Sequence, residues 1–324
     1  MSDYNFFIFF FILNYFLFYF FLKIANKIGF VDTSKKFNNP ITATSAGTIF
    51  YINTLIIFFF KFFLDESSKD IFPNNFIYTY IAFSILIIIS TIDDFKPIDP
   101  KIRLFFQLIC VYLALTSIKI YNINFPLKLT ILISVFVWVY IVNITNFTDG
   151  SDGFLATNTI FLFINLIVLD YLLNLNLFSK QIALLLLPSI IIFLYFNKPN
   201  AKLYMGDSGS ILIGFINGFI FLELITNFKI NLAITLLIYP ILDCSLALIR
   251  KTLEKKLPWV DISNYSFLQP TIKSNNNKFF VFYFNIFFNI LNSSFILLQI
   301  LFGWYYIVLN FIIATAAIII YEKK

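Results

Sequence analysis

The chain has 324 residues, of which 60% are hydrophobic, 21% aromatic and only 12% charged; its mean hydropathy is +0.87 and its formal net charge +6. So much apolar surface excludes a soluble globular domain and calls for lipid as the solvent. Histidine is absent, so any catalysis must rest on carboxylates, amides and water rather than on imidazole.

Apolar runs of about 16–22 residues are long enough to cross the hydrocarbon core as helices. They predict eleven spans, near 4–22, 47–63, 76–92, 104–119, 127–143, 156–173, 181–196, 209–226, 230–249, 279–299 and 301–321. Only Phe302-Gly303 separates the last two, which can also be read as one broken unit. The fold expected is an all-α polytopic membrane protein of about 10–11 transmembrane helices, a single integral membrane domain over 1–324. The first run lacks a basic leader and a small-residue cleavage site, so it reads as a retained helix rather than a signal peptide. Cys110 and Cys244 lie in separate apolar spans and read as two buried thiols, not a disulfide framework.

The loops alternate in charge. Seventeen of the 23 Lys and Arg fall on one side, which predicts that side as cytoplasmic and the amino terminus as outside. This bias accounts for the net charge through the lipid bilayer, with no nucleic acid partner. Asp93, Asp94, Asp99, Asp149, Asp152, Asp207 and Asp261 all fall on the cytoplasmic side, whereas Asp170, Glu223 and Asp243 are the acids within spans.

Four polar blocks interrupt the apolar pattern. The third span ends in Thr91-Ile92-Asp93-Asp94-Phe95, and Asp99, Pro100, Lys101, Arg103 and Gln107 lead into the fourth. Adjacent carboxylates at a helix end can bind a divalent cation or take a proton, or can simply be a solvated terminus. Lys101 and Arg103 can anchor the interface or hold phosphate oxygens. The second block, Asn143 to Phe154, reads as a helix end, a glycine-punctuated loop and a new helix start. Asp149 and Asp152 point the same way if the turn is helical, and the amide oxygen of Asn146 suits magnesium. The plainer reading is two capped helices. In the third block, Met205-Gly206-Asp207-Ser208-Gly209-Ser210, two glycines around one carboxylate let backbone approach a ligand closely, and the helix start offers donors to a phosphate. The fourth, Arg250 to Lys278, opens on a basic stretch that reads most simply as an anchor on anionic lipid, with phosphate contact as its second role.

These blocks, in this order, resemble the polyprenyl-phosphate N-acetylhexosamine-1-phosphate transferases, a superfamily that includes phospho-N-acetylmuramoyl-pentapeptide transferase. The resemblance covers about residues 25–270, and Asp99-Pro100-Lys101-Ile102-Arg103 looks closer to the enzymes that use UDP-N-acetylhexosamines. It implies transfer of a sugar 1-phosphate from a UDP-sugar to undecaprenyl or another polyprenyl phosphate, releasing UMP. The implied cofactor is Mg2+, with Mn2+ as an alternative, and the implied location is the bacterial inner membrane. Asp207 would be the main metal ligand and Asn146 the second. Asp93, Asp94, Asp149 and Asp152 would be catalytic, with the first two beside the lipid phosphate. Asn143, Asn197, Lys202, Lys101, Arg103, Gly206 and Asp261 would bind substrate. Family context adds initiation of a cell wall glycan, lipopolysaccharide or O-antigen, and a second copy of the chain as a candidate partner.

Two features depart from the family pattern. Asp261 to Pro270 stands where members usually carry a histidine-rich motif, and Pro40 to Gly47 lacks the basic residue typical before its glycine. They keep open an impaired homologue that serves as an assembly subunit. A transporter is disfavoured because the acids gather at one face and no internal repeat is evident. A CDP-alcohol phosphotransferase would need acids one turn beyond Asp152-Gly153, and Phe154 to Ile160 has none.

Overall fold

The computed structural model describes residues 3–32, 42–59, 76–118, 126–257, 264–274 and 277–324. Among the described residues the protein is all-α apart from one small strand pair. Its helices are α1 (Asp3–Ile28), α2 (Gly47–Phe59), α3 (Phe76–Phe95), α4 (Pro100–Ala114), α5 (Leu127–Phe147), α6 (Phe154–Leu173) and α7 (Phe178–Asn197). There follow α8 (Gly206–Thr226), α9 (Ile230–Leu236), α10 (Ile238–Leu253), α11 (Gln269–Lys273), α12 (Lys278–Phe302) and α13 (Ile307–Lys323). Among the described residues nine helices are long and apolar enough to cross a membrane, and α9 with α10 makes a tenth span bent by 71°.

The expected spans therefore return with three refinements. The 230–249 run is broken at Leu237, and Pro240, which has no amide hydrogen, sits in the first turn of α10. Gly303, at φ +125°, separates α12 from α13, so these are two helices. The described part of α2 has 13 residues, shorter than a full span. Cys110 and Cys244 are buried free thiols.

Helix α8 is the axis of the bundle and is buried along nearly its whole length. Around it pack α2, α3, α5, α7 and α9. The indole of Trp138 on α5 closes one side, donating from Nε1 to the Phe215 carbonyl of α8 at 2.9 Å. Glycine at 47 and 209 lets α2 and the first turn of α8 meet backbone to backbone, since a Cβ added at Gly47 would lie 2.2 Å from the Gly209 amide nitrogen. Strands β1 (Val31–Asp32) and β2 (Thr42–Ala43) pair antiparallel, and Ala43 also bridges Leu203 just before α8. The segment leading into α2 is thereby fastened to the segment leading into α8.

An asparagine seam joins α12 and α13 to the rest. Asn285 donates to the Phe154 carbonyl (3.1 Å), Asn289 to Asn158 (2.8 Å), Asn292 to the Thr235 carbonyl (3.2 Å) and Asn310 to Asn292 (2.7 Å). Hydrogen bonds of this kind hold helices together where lipid removes the hydrophobic contrast between them. The acids within spans are likewise structural. Asp170 accepts from the Leu177 amide and pairs with Lys180, and Glu223 accepts from the Phe178 and Ser179 amides, so together they cap the start of α7. Asp243 accepts from the Ser266 amide at 3.0 Å.

Candidate active site

At the opposite end from the Asp170 and Glu223 caps, α3 and α5 stop while α4 and α8 start, and their polar ends converge. Asp99 caps α4 by accepting from the Lys101 amide (2.8 Å), and Pro100 presets the first turn, so Arg103 projects from a fixed helix start. Its Nη1 donates to Asp93 Oδ2 at 2.6 Å and, in a still closer ion pair, to Asp207 Oδ2. Asp93 is held again by the Ile98 amide at 2.5 Å. The two carboxylates and the guanidinium come from α3, α8 and α4 respectively and are each only partly exposed, so solvent screens them less than a surface pair.

Asp94 turns the other way. Its Oδ1 accepts from the Asp207 amide (2.6 Å) and its Oδ2 from the Ser208 amide (3.2 Å), so a carboxylate on α3 caps the positive end of α8. Asp207 is thus freed from capping its own helix. The approach requires Gly206, at φ +72°, where an added Cβ would lie 2.6 Å from Asp94 Oδ2. One turn on, Ser210 Oγ lies 3.0 Å from the Gly206 carbonyl and 3.1 Å from Asn146 Oδ1. Asn143, one turn earlier on α5, donates to Gln107 (2.7 Å) and to the Val139 carbonyl (2.8 Å).

The 148–153 loop is a turn, not a helix, so the helical spacing that would align Asp149 with Asp152 is absent. Asp152 is buried and its Oδ2 accepts from the Asn200 and Ala201 amides (3.0 and 3.3 Å). Burial pushes its pKa up, while the Ala201 amide, the Lys278 charge and the Asn200 amide pull it back. Asn197 ties the same two loops, accepting from the Gly153 amide (3.0 Å) and donating to the Leu203 carbonyl (2.8 Å). Asp149 differs from its neighbours. Its carboxylate has no hydrogen bond among the described residues. Burial, followed by the Asp94 and Asp152 charges, pushes its pKa up to about 7.

Lys101 and Lys202 are exposed at this end, and Asp261 lies outside the described residues. Lys251 departs from the lipid-anchor expectation. It is buried, donates to Tyr265 OH (3.2 Å), and lies 4.7 Å from the Tyr265 ring centre and 5.8 Å from that of Phe147, the residue after Asn146. Beside it Phe267 stacks on Phe154 with ring centres 4.4 Å apart. The described part of the segment without histidine, from residue 264 on, therefore makes aromatic contacts beside a buried lysine. Residue order gave no sign of this burial. Ser210, by contrast, could have been found from its helical i+4 spacing to Gly206.

Among the described residues no three Asp, Glu, Cys or His side chains form a ready metal cage. The donor set fits a different kind of cation site. Magnesium commonly takes one or two carboxylates and leaves its other positions to substrate phosphates and water. Asp207 and Asn146 supply hard oxygens at one helix junction, linked through the first turn of α8 that carries Ser210.

The model of glycosyl transferase family 4 matches residues 76–225. A probable undecaprenyl-phosphate N-acetylglucosaminyl 1-phosphate transferase of Bacillus subtilis is 26% identical over 254 residues, covering 72% of this chain and 67% of the relative. A phospho-N-acetylmuramoyl-pentapeptide-transferase of Dictyoglomus turgidum is 30% identical over 200 residues, 56% of this chain and 59% of that relative. One from Clostridium beijerinckii reaches 37% over 106 residues, 32% of each chain. The matched stretches thus span between a third and two thirds of these relatives.

Proposed function

We propose that the chain is a member of glycosyl transferase family 4, whose model matches residues 76–225, and that it transfers a sugar 1-phosphate, an N-acetylhexosamine 1-phosphate, from a UDP-sugar to a polyprenyl phosphate, releasing UMP. The observation that carries this reading is the convergence of Asp93, Asp94, Arg103, Asn146 and Asp207 from four helices at one end of an apolar bundle. A soluble nucleotide and a lipid phosphate can meet there.

In the reaction proposed, an oxygen of the lipid phosphate attacks the sugar-bearing phosphorus of the donor. The bond from that phosphorus to the bridging oxygen breaks, and UMP leaves with that oxygen. Positioning and charge neutralisation matter more here than a strong base, because a phosphate monoester is largely anionic at neutral pH. Arg103, with Lys101 and Lys202 at the rim, supplies positive charge for phosphate oxygens. Asp149, poised near neutrality and without a donor of its own, accepts the proton that a fraction of the lipid phosphate still carries. Asp94 and Asp152 position the site, the first by fixing the start of α8 and the second by tying the 148–153 and 198–203 loops. Asp207 and Asn146 would hold a magnesium ion, which neutralises charge on the pyrophosphate when bound. The loop-charge bias supports a cytoplasmic location for this end. Together with the bacterial relatives it supports the inner membrane of a bacterium and a role in starting a surface glycan.

The test is UMP release from purified protein given undecaprenyl phosphate, magnesium and a panel of UDP-N-acetylhexosamines. Lipid-dependent UMP from one donor, absent in Asp207→Ala, establishes the transferase and names its sugar. No UMP from any donor, with the protein folded and a related transferase active in parallel, overturns the reading in favour of an inactive assembly subunit.

A further inference from the structure

Arg103 stands on the very carboxylate that the proposed reaction reserves for a metal. Its Nη1 bonds Asp207 Oδ2 and Asp93 Oδ2 together, so one guanidinium is shared between two acids brought from α3 and α8. A guanidinium does not deprotonate in a protein, so its charge stays on Asp207 until another cation takes its place or an anion draws it away. The surroundings fix which bond can open. Asp93 has a second tie in the Ile98 amide and a side chain only 7% exposed, whereas the Asp207 side chain is 29% exposed. Asp94 is already committed to α8, because both its oxygens accept backbone amides there. The α4 start is pinned by the Asp99 cap, so the exchange needs a side-chain rotation and no helix movement.

We propose that Arg103 is the resident counter-cation of the metal site: it competes with the divalent ion for Asp207 and, once displaced, turns its donors to a substrate phosphate. The proposal rests on the reading of Asp207 as a metal ligand. It carries a consequence of its own. With Arg103 in place, a divalent ion and a guanidinium share one carboxylate and repel each other, so metal affinity is low until a pyrophosphate gives Arg103 another partner. Metal and nucleotide sugar then bind with positive coupling.

The experiment titrates Mn2+ into the purified full-length protein without substrates at low ionic strength, reading free Mn2+ by electron paramagnetic resonance. Arg103→Gln and Arg103→Met, two neutral replacements of similar reach, are expected to tighten Mn2+ binding by about tenfold, which is about 1.4 kcal/mol. Arg103→Lys keeps the charge and is expected to stay near wild type, and Asp207→Ala is expected to lose the site. Size-exclusion profiles and melting curves confirm which variants are folded. Unchanged or weaker Mn2+ binding in the folded neutral variants, with loss only in Asp207→Ala, overturns the competitor role and leaves the metal reading of Asp207 intact. Absence of Mn2+ binding in wild type and every variant overturns both.

Discussion

A half-buried carboxylate with no hydrogen-bond donor is unusual in a cluster where every neighbouring acid has one, and Asp149 holds that place. Folding raises its pKa to about 7, above the ordinary carboxylate range, so the folded state favours the protonated form. The penalty for ionising it is absent below about pH 4 and complete above about pH 7. Wild type should therefore lose stability relative to Asp149→Asn as pH rises through that window, and melting temperatures of both proteins in detergent measure the difference. Activity carries the opposite sign. If the ionised carboxylate takes a proton from the lipid phosphate, UMP release rises with pH through about 7 and this limb disappears in Asp149→Asn. A melting difference that stays flat from about pH 5 to about pH 8 refutes the raised pKa.

Helix α8 shows how one element sets several groups at once. Its first turn presents Asp207 to Arg103, two amides to Asp94 and Ser210 to Asn146, while its far end receives α7 through Glu223. That first turn rests against the start of α2, where Gly47 leaves no space for a Cβ. Gly47→Ala must push the two backbones apart, and overpacking of this kind costs about 1–3 kcal/mol. The expected result is a lower melting temperature together with at least tenfold slower UMP release in protein that is still folded, because Asp207 is carried off its partners. Full turnover in Gly47→Ala would show that this contact does not set the site. Helix existence and the identity of the polar blocks were legible in the sequence, since both are local patterns of hydropathy, glycine and acid spacing. The pairings were not. Arg103 meets Asp207 across 104 positions and Asp94 meets its amide across 113, and nothing in residue order says which acid will cap and which will face a cation. The burial of Lys251 is hidden for the same reason: a basic run reads as a solvated anchor until tertiary packing lays Phe147 and Tyr265 beside it.

At the scale of the molecule the two ends of the bundle are chemically unlike. The acids of one end, Asp170 and Glu223, are occupied by amides and Lys180 at the start of α7, and Asp243 is held by Ser266, so the acids inside the spans are structural and trace no transport path. The other end gathers Asp93, Asp94, Asp149, Asp152 and Asp207, and the charge pattern of the sequence predicts seventeen of the 23 cations on that side. The sidedness that follows is open to direct measurement, because both native cysteines are buried and silent toward a polar reagent. Lys96→Cys places a thiol on the exposed turn between α3 and α4, and Lys128→Cys places one at the exposed start of α5, on the opposite side. In intact cells a membrane-impermeant maleimide should label Lys128→Cys at once, and Lys96→Cys only after the membrane is opened. The reverse pattern would put the polar site outside, away from nucleotide sugars made in the cytoplasm. It would sink the transferase reading even though the cluster stayed intact.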